Sequence, residues 1–233
     1  MQLGLGLGLT RIGGGSSLAR LLFTANEPGF TFEPWDITTL FQDRAGTTPV
    51  TAAGQSVGYR RDKSGRGNHQ VAVSDAKRGI YGWMPKTGRR NLLNATNTLS
   101  TQSVTVTAVA HTLAFTGTGT VTLSGVSTAG PLVGTGASNR VSLTFTPTAG
   151  SLTLTVSGSV TLAQLELGST ATAYQRVVSQ YDITEAGVPT CYYVQADGVD
   201  DAYVTPTITP NTDPLTLRAK TLPTPSAKFG VAP

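Results

Sequence analysis

Arg140-Val141-Ser142-Leu143-Thr144-Phe145, then Thr146-Pro147-Thr148-Ala149-Gly150, then Ser151-Leu152-Thr153-Leu154-Thr155-Val156, then Ser157-Gly158-Ser159, then Val160-Thr161-Leu162-Ala163-Gln164-Leu165-Glu166-Leu167: hydroxyl and aliphatic side chains alternate in three runs, and turn residues part them. Alternation at period two sends successive side chains to opposite faces of a strand, while Pro, Gly and Ser end each run. Upstream, Val104 to Val109, His111 to Phe115 and Thr120 to Leu123 repeat the pattern, broken at Gly117-Thr118-Gly119 and at Thr128-Ala129-Gly130-Pro131. Six strands spaced by roughly ten residues predict an antiparallel sandwich. In the last run the apolar positions move from even to odd numbers, which predicts a bulge near Ala163-Gln164.

Working outward, residues 91–178 hold three charged side chains in 88 positions: Arg140, Glu166 and Arg176. The flanks differ. Residues 44–90 carry ten Lys/Arg against Asp62 and Asp75, and residues 182–201 carry five of the thirteen carboxylates. The expectation is an all-β, antiparallel, jelly-roll-like β-sandwich in four parts. These are an N-terminal anchoring arm (1–27), a first half of a frame (28–90), an inserted sandwich (91–178), and a second part of the frame with a Pro-rich tail (179–233). Six prolines between Pro206 and Pro233 argue against central strands there.

The 233-residue chain is long enough to bury a core, and its 13 % charged residues fall below the usual ~25 %. The net charge of +4 collects between Arg60 and Arg90, as expected of a contact surface for an acidic partner subunit or an acidic glycan, or of a solvated face. Zinc-knuckle, helix-turn-helix and RNA-reading aromatic patterns are missing from it, so no nucleic-acid partner is expected. No window approaches a membrane span, and the opening is too short and glycine-rich for a secretion signal. Cys191 has no second cysteine to pair with, and its apolar neighbours suggest a small buried hydrophobe.

The opening Met1-Gln2-Leu3-Gly4-Leu5-Gly6-Leu7-Gly8-Leu9 places Leu3, Leu5, Leu7 and Leu9 on one face of an extended segment with nothing on the other. Such a glycine-rich strand is entropically costly in isolation, yet burying four leucines returns about 6–12 kcal/mol gross. It is expected to dock into a partner, with Gly13-Gly14-Gly15 as a joint. The alternative is a first strand of the chain's own sheet. Residues 16–25 have a Ser cap and leucines at helical spacing, which predicts a short N-terminal helix.

Two charged loops interrupt the frame: Asp62-Lys63-Ser64-Gly65-Arg66-Gly67-Asn68-His69 and Asp197-Gly198-Val199-Asp200-Asp201. They resemble the Asp-x-Ser-Gly-x-Gly-Asn-His and Asp-Gly-x-Asp-Asp motifs of concanavalin A-like (laminin-G-like) jelly rolls in bacteriophage structural proteins. Phe41 to Thr51 is similar to the stretch that precedes them in phage tail-associated proteins. Ala163 to Arg176 is similar to the closing strand of a carbohydrate-binding-module-like sandwich carried as an insert. The resemblance implies a virion protein made in the host cytoplasm: a tail fibre or tail appendage that joins neck, portal-adaptor or tail subunits and forms a homotrimer. Two alternatives stand beside it, a glycan-binding receptor-recognition module and a capsid-decorating head fibre. The chain departs from that family pattern by ending about thirty residues after Tyr203.

No catalytic residues are expected, because neither His69 nor His111 has a local partner that would activate Cys191. Trp35, Tyr59 and Trp83 are the candidate contacts for a host-surface glycan. Asp197, Asp200 and Asp201 are hard oxygen donors for calcium, against the reading that they only cap a turn. No other cofactor is implied.

Overall fold

In a computed structural model the described residues are Phe23 and residues 28–209. The leucine arm and, apart from Phe23, the predicted helix over 16–25 lie outside them. The described chain is all-β, with a single 3-10 turn, Ile37–Thr39. In chain order the strands are β1 (Leu40–Phe41), β2 (Ser56–Val57), β3 (Tyr59–Arg60), β4 (Gln70–Ala72), β5 (Gly79–Pro85), β6 (Gln102–Val106), β7 (His111–Gly117) and β8 (Thr120–Gly125). They continue as β9 (Leu132–Val133), β10 (Gly136–Phe145), β11 (Gly150–Ser157), β12 (Val160–Leu167), β13 (Gln175–Ser179), β14 (Asp182–Glu185), β15 (Thr190–Gln195) and β16 (Tyr203–Val204).

Strands β6 to β12 pair only among themselves, as two antiparallel sheets ordered β10-β7-β12 and β6-β11-β8-β9. The alternation predicted from sequence sets their burial. Leu152 and Leu154 of β11 and Val121 and Leu123 of β8 point inward to meet Leu113, Phe115 and Leu165 of the other sheet. The Thr and Ser between them face outward, and Ser103 and Thr153 hydrogen-bond across the strands at 2.8 Å. The bulge occurs where it was expected. The β12–β7 register slips between Thr161 and Gln164, and Leu162 takes φ +49°. Its effect differs from a simple return of every leucine to the core. Ala163 and Leu165 are buried, whereas Leu162 and Leu167 are exposed. The other face of β12 buries Gln164 and Glu166.

The frame strands form two more sheets. One is ordered β1-β3-β4-β16; the other runs β13-β14-β5-β15, with β2 also on β5. A small core of Leu40, Val50, Val57 and Tyr81 joins them. Gln175–Ser179, which spans the expected end of the insert, pairs with β14. The two regions meet in a buried polar seam. Asn91 accepts the N–H groups of Leu93 and Leu165 and donates to the carbonyls of Ala163 and Gln175. Gln175 accepts the N–H groups of Arg90 and Asn91 and donates to Gly88 O and Glu185.

The charge cluster seen in the sequence is largely turned onto the protein itself. Lys63 pairs with Glu33 and Asp36 at 2.7 and 2.6 Å, and Arg90 pairs with Glu185. Arg89 donates to the carbonyls of Asn91, Leu92 and Leu93, and the Arg60 guanidinium lies 3.7 Å from the Tyr203 ring centroid. Two of the carboxylates in these pairs carry an acid dependence. The Lys63 ammonium bonded to Asp36, and the Arg90 guanidinium bonded to Glu185, hold both carboxyls below their ordinary values of 3.8 and 4.5. A carboxyl whose pKa is lowered by folding stabilises fully above its unfolded value, and that contribution disappears as pH falls through the folded one. The melting temperature is therefore expected to hold from neutrality to about pH 5 and to fall below it. Glu185→Gln should flatten part of that fall in a series of melts from pH 6 to pH 3.

Candidate functional site

The site is built on one face of the frame's mixed sheet. Register places Tyr192 of β15 opposite Trp83 of β5, and Asp182 of β14 beside Trp83 on the other flank. Directly paired residues point to the same side of a sheet, so Tyr192, Trp83 and Asp182 form a row across three strands. Period two adds Tyr81 and Thr190 to that face, and Thr184 with its cross-strand partner Arg176. Tyr81 packs into the core, where burial pushes its hydroxyl up to about 12. The rest of the row stays open. Its rings meet edge to face: Tyr81 and Trp83 at 5.7 Å between centroids, Trp83 and Tyr192 at 6.2 Å.

Across from the row, the turn before the Ile37–Thr39 segment raises Trp35 over the sheet. Asp36 accepts the amide and hydroxyl of Thr39 through its carbonyl and the Thr38 hydroxyl through its carboxylate, which fixes the turn. The Lys63 ammonium sits 4.9 Å from the Trp35 ring centroid while bonded to Asp36. Trp35 remains 60 % exposed and Tyr192 40 %. The space between them is a cleft of about 450 Å³ with Trp83 in its floor.

A polar chain runs along the floor. Trp83 Nε1 donates to Asp182 Oδ1 at 2.9 Å. Arg176 donates to both Asp182 oxygens, at 3.0 and 3.4 Å, and to the Thr184 hydroxyl at 3.3 Å. The carboxylate and the guanidinium are thus oriented by neighbours that are themselves fixed in the sheet.

No protein-family model, curated protein or solved structure matches this chain. What the site can do therefore rests on its own residues. Of the three aromatic candidates from the sequence, Trp35 and Trp83 line the cleft together. Tyr59 lies elsewhere, with its ring against Phe41 and His69 at 5.6 and 5.4 Å and against Gly46. Arg176, Asp182, Thr184 and Thr190 were not candidates. Their only signal was strand alternation, and the register that aligns them with Trp83 joins segments about a hundred residues apart.

The first charged loop is organised by Asp62, which is 6 % exposed. Its carboxylate accepts the N–H groups of Thr31, Ser64 and Asn68 and the Ser64 hydroxyl, at 2.6 to 3.0 Å. Its own N–H donates to His69 Nδ1 at 3.0 Å, so that nitrogen carries no proton. His111 is sealed in the sandwich, with Nδ1 2.8 Å from Val109 O and its ring stacked on Phe145. Cys191 is only partly buried, less than its apolar neighbours suggested.

In the second loop, carboxylate oxygens of Asp197, Asp200 and Asp201 lie within 4.8 Å of one another. Asp197 Oδ1 accepts the N–H groups of Val199, Asp200 and Asp201, and these bonds, Val199 first, lower its pKa. Asp201 accepts the Asp197 N–H at 2.8 Å, and Lys77 lies 3.6 Å from Asp200. The arrangement is that of a turn capped by its own carboxylates. Calcium takes six to eight oxygen ligands, and two of the carboxylate oxygens here, Asp197 Oδ1 and Asp201 Oδ2, already serve the backbone.

Proposed function

We propose that the chain is a structural and attachment protein of a bacteriophage virion, a tail fibre or tail appendage that acts by binding and carries out no turnover. In this reading residues 28–90 and 179–233 are the two parts of a concanavalin A-like, jelly-roll frame, and residues 91–178 are a sandwich carried between them. Leu3, Leu5, Leu7 and Leu9 anchor the chain in a neck, portal-adaptor or tail subunit, and three copies associate. The observation that carries the reading is the Asp62 loop. The Asp, Ser, Asn and His of the motif on which the phage resemblance rests form one hydrogen-bonded unit around a buried carboxylate. The Ser64 hydroxyl and the backbone N–H groups of Ser64 and Asn68 bond the Asp62 carboxylate, the Asn68 side chain donates to Gly29 O, and His69 Nδ1 accepts the Asp62 N–H, so each polar residue of the motif has a place in the loop.

Deletion of residues 2–9 tests the anchor. Loss of the protein from purified particles, with the thermal melt of the isolated chain unchanged, is the expected result. A large fall in the melt would instead place the leucines in the chain's own sheet. Immunogold labelling of the same particles locates the protein: label on the tail is expected, label on the head makes it a capsid decoration, and unlabelled particles end the virion reading. Sedimentation at the mass of three chains is expected for the free protein.

A further inference from the structure

We propose that the cleft between Trp35 and Tyr192 is a saccharide-binding site for a short, neutral oligosaccharide. The proposal rests on the attachment reading and names the ligand class for it. The aromatic surfaces are the first argument. Among the described residues Phe30, Trp35 and Tyr192 are the exposed aromatic side chains, and Trp35 and Tyr192 line one cleft together with Trp83. A pyranose ring carries a face of C–H groups that packs on such rings, whose π-systems attract its partly positive hydrogens. Held by the Lys63 ammonium and the Asp36 turn, Trp35 is positioned before any ligand arrives.

The polar floor is the second argument. Arg176 reaches the two Asp182 oxygens at 3.0 and 3.4 Å, and the pair keeps unused capacity: a lone pair on Oδ2 and further guanidinium N–H groups. Neighbouring hydroxyls on a sugar ring each donate and accept, so one can donate to the carboxylate while the next accepts from the guanidinium. Thr184 and Thr190 add single hydroxyls at the edge.

Charge and backbone select among other ligands. Arg176 is neutralised by Asp182, so the cleft offers no excess positive charge to a phosphate or a nucleic acid. The floor strands β5 and β14 are paired on both sides, and β15, which carries Tyr192, is the last strand of the sheet, so an extended peptide could pair only along its outer edge, away from the row of Trp83 and Asp182. A volume of about 450 Å³ lies within the ~300–1,000 Å³ typical of small-ligand clefts.

The experiment uses the full-length protein on an array of neutral hexosides, N-acetylhexosaminides and deoxyhexosides, in buffer containing EDTA. The best-retained sugar is then titrated against intrinsic tryptophan fluorescence. Saturable quenching is expected, roughly tenfold weaker in Trp35→Ala and in Tyr192→Ala. It should be unchanged in Val133→Ser, which alters an exposed side chain on the sandwich. Thermal melts matching the unmutated protein establish that Trp35→Ala, at a mostly exposed position, is folded. If it melts early, Tyr192→Phe and Arg176→Met decide the matter, the first retaining affinity and the second losing it. A blank array, full affinity in Trp35→Ala, or dependence on calcium overturns the site. The particle labelling is read independently: labelled particles with a blank array remove the saccharide site alone, and sugar binding by a chain absent from particles removes the virion reading alone.

Discussion

Asn91→Leu is expected to destabilise the protein by about 3–5 kcal/mol, because a side chain of similar size replaces one that satisfies four backbone groups. The amides of Leu93 and Leu165 lose their acceptor, and the carbonyls of Ala163 and Gln175 lose a donor, in a position with no solvent exposure. Each buried polar group left unpaired costs about 1–3 kcal/mol, and water has no room to replace the amide. The loss also falls on the seam between the sandwich and the frame. Unfolding followed by tryptophan fluorescence reports the frame, since Trp35 and Trp83 both lie there, whereas far-UV circular dichroism reports every strand. The two transitions are expected to separate in the variant. Coincident transitions at the unmutated midpoint would mean that the seam contributes nothing.

Asp62→Ala should cost about 3–4 kcal/mol, a fall of roughly 10 °C in the tryptophan-reported melt. Three amides and one hydroxyl converge on this carboxylate; the Thr31 bond ties the loop to the segment that leads to Trp35, and the Asn68 bond closes the loop on itself. Asp62→Asn keeps one acceptor oxygen but turns an NH2 group toward the donors, so it is expected to lie nearer to alanine than to the unmutated protein. Were Asp62→Ala to melt within a degree of the original, the loop would be held by something other than its aspartate.

The sandwich could be read from the sequence because its strands obey a local rule. From Gln102 to Leu167 hydroxyl and aliphatic residues alternate, and Gly, Pro and Ser mark the turns, so position along the chain predicts face and boundary alike. Even the bulge announced itself as a change of parity, although which leucines it would expose depended on what lay against the other face of β12. The frame obeys no such rule. Its strands are mostly two to six residues long, and β5 takes its neighbours from Ser56, Asp182 and Thr190 onward. Long-range register of this kind leaves no local trace. For that reason Trp83 could be named as an aromatic candidate, while Asp182 and Arg176, which give the cleft its polar floor, could not. Tyr59 illustrates the converse: an aromatic residue in the right region whose ring is committed to Phe41 and His69.

The seam has one more property. The chain leaves the frame at Asn91 and returns at Gln175, and these two residues are hydrogen-bonded to each other through both side chains. Eighty-odd residues are therefore strung between two points that almost touch, so the sandwich is a cassette with a common doorway. A different payload grafted at that doorway would have to keep Asn91 and replace the bonds that Thr96 and Gln164 make to Val177 and Gln175, because β13 is held from both sides there.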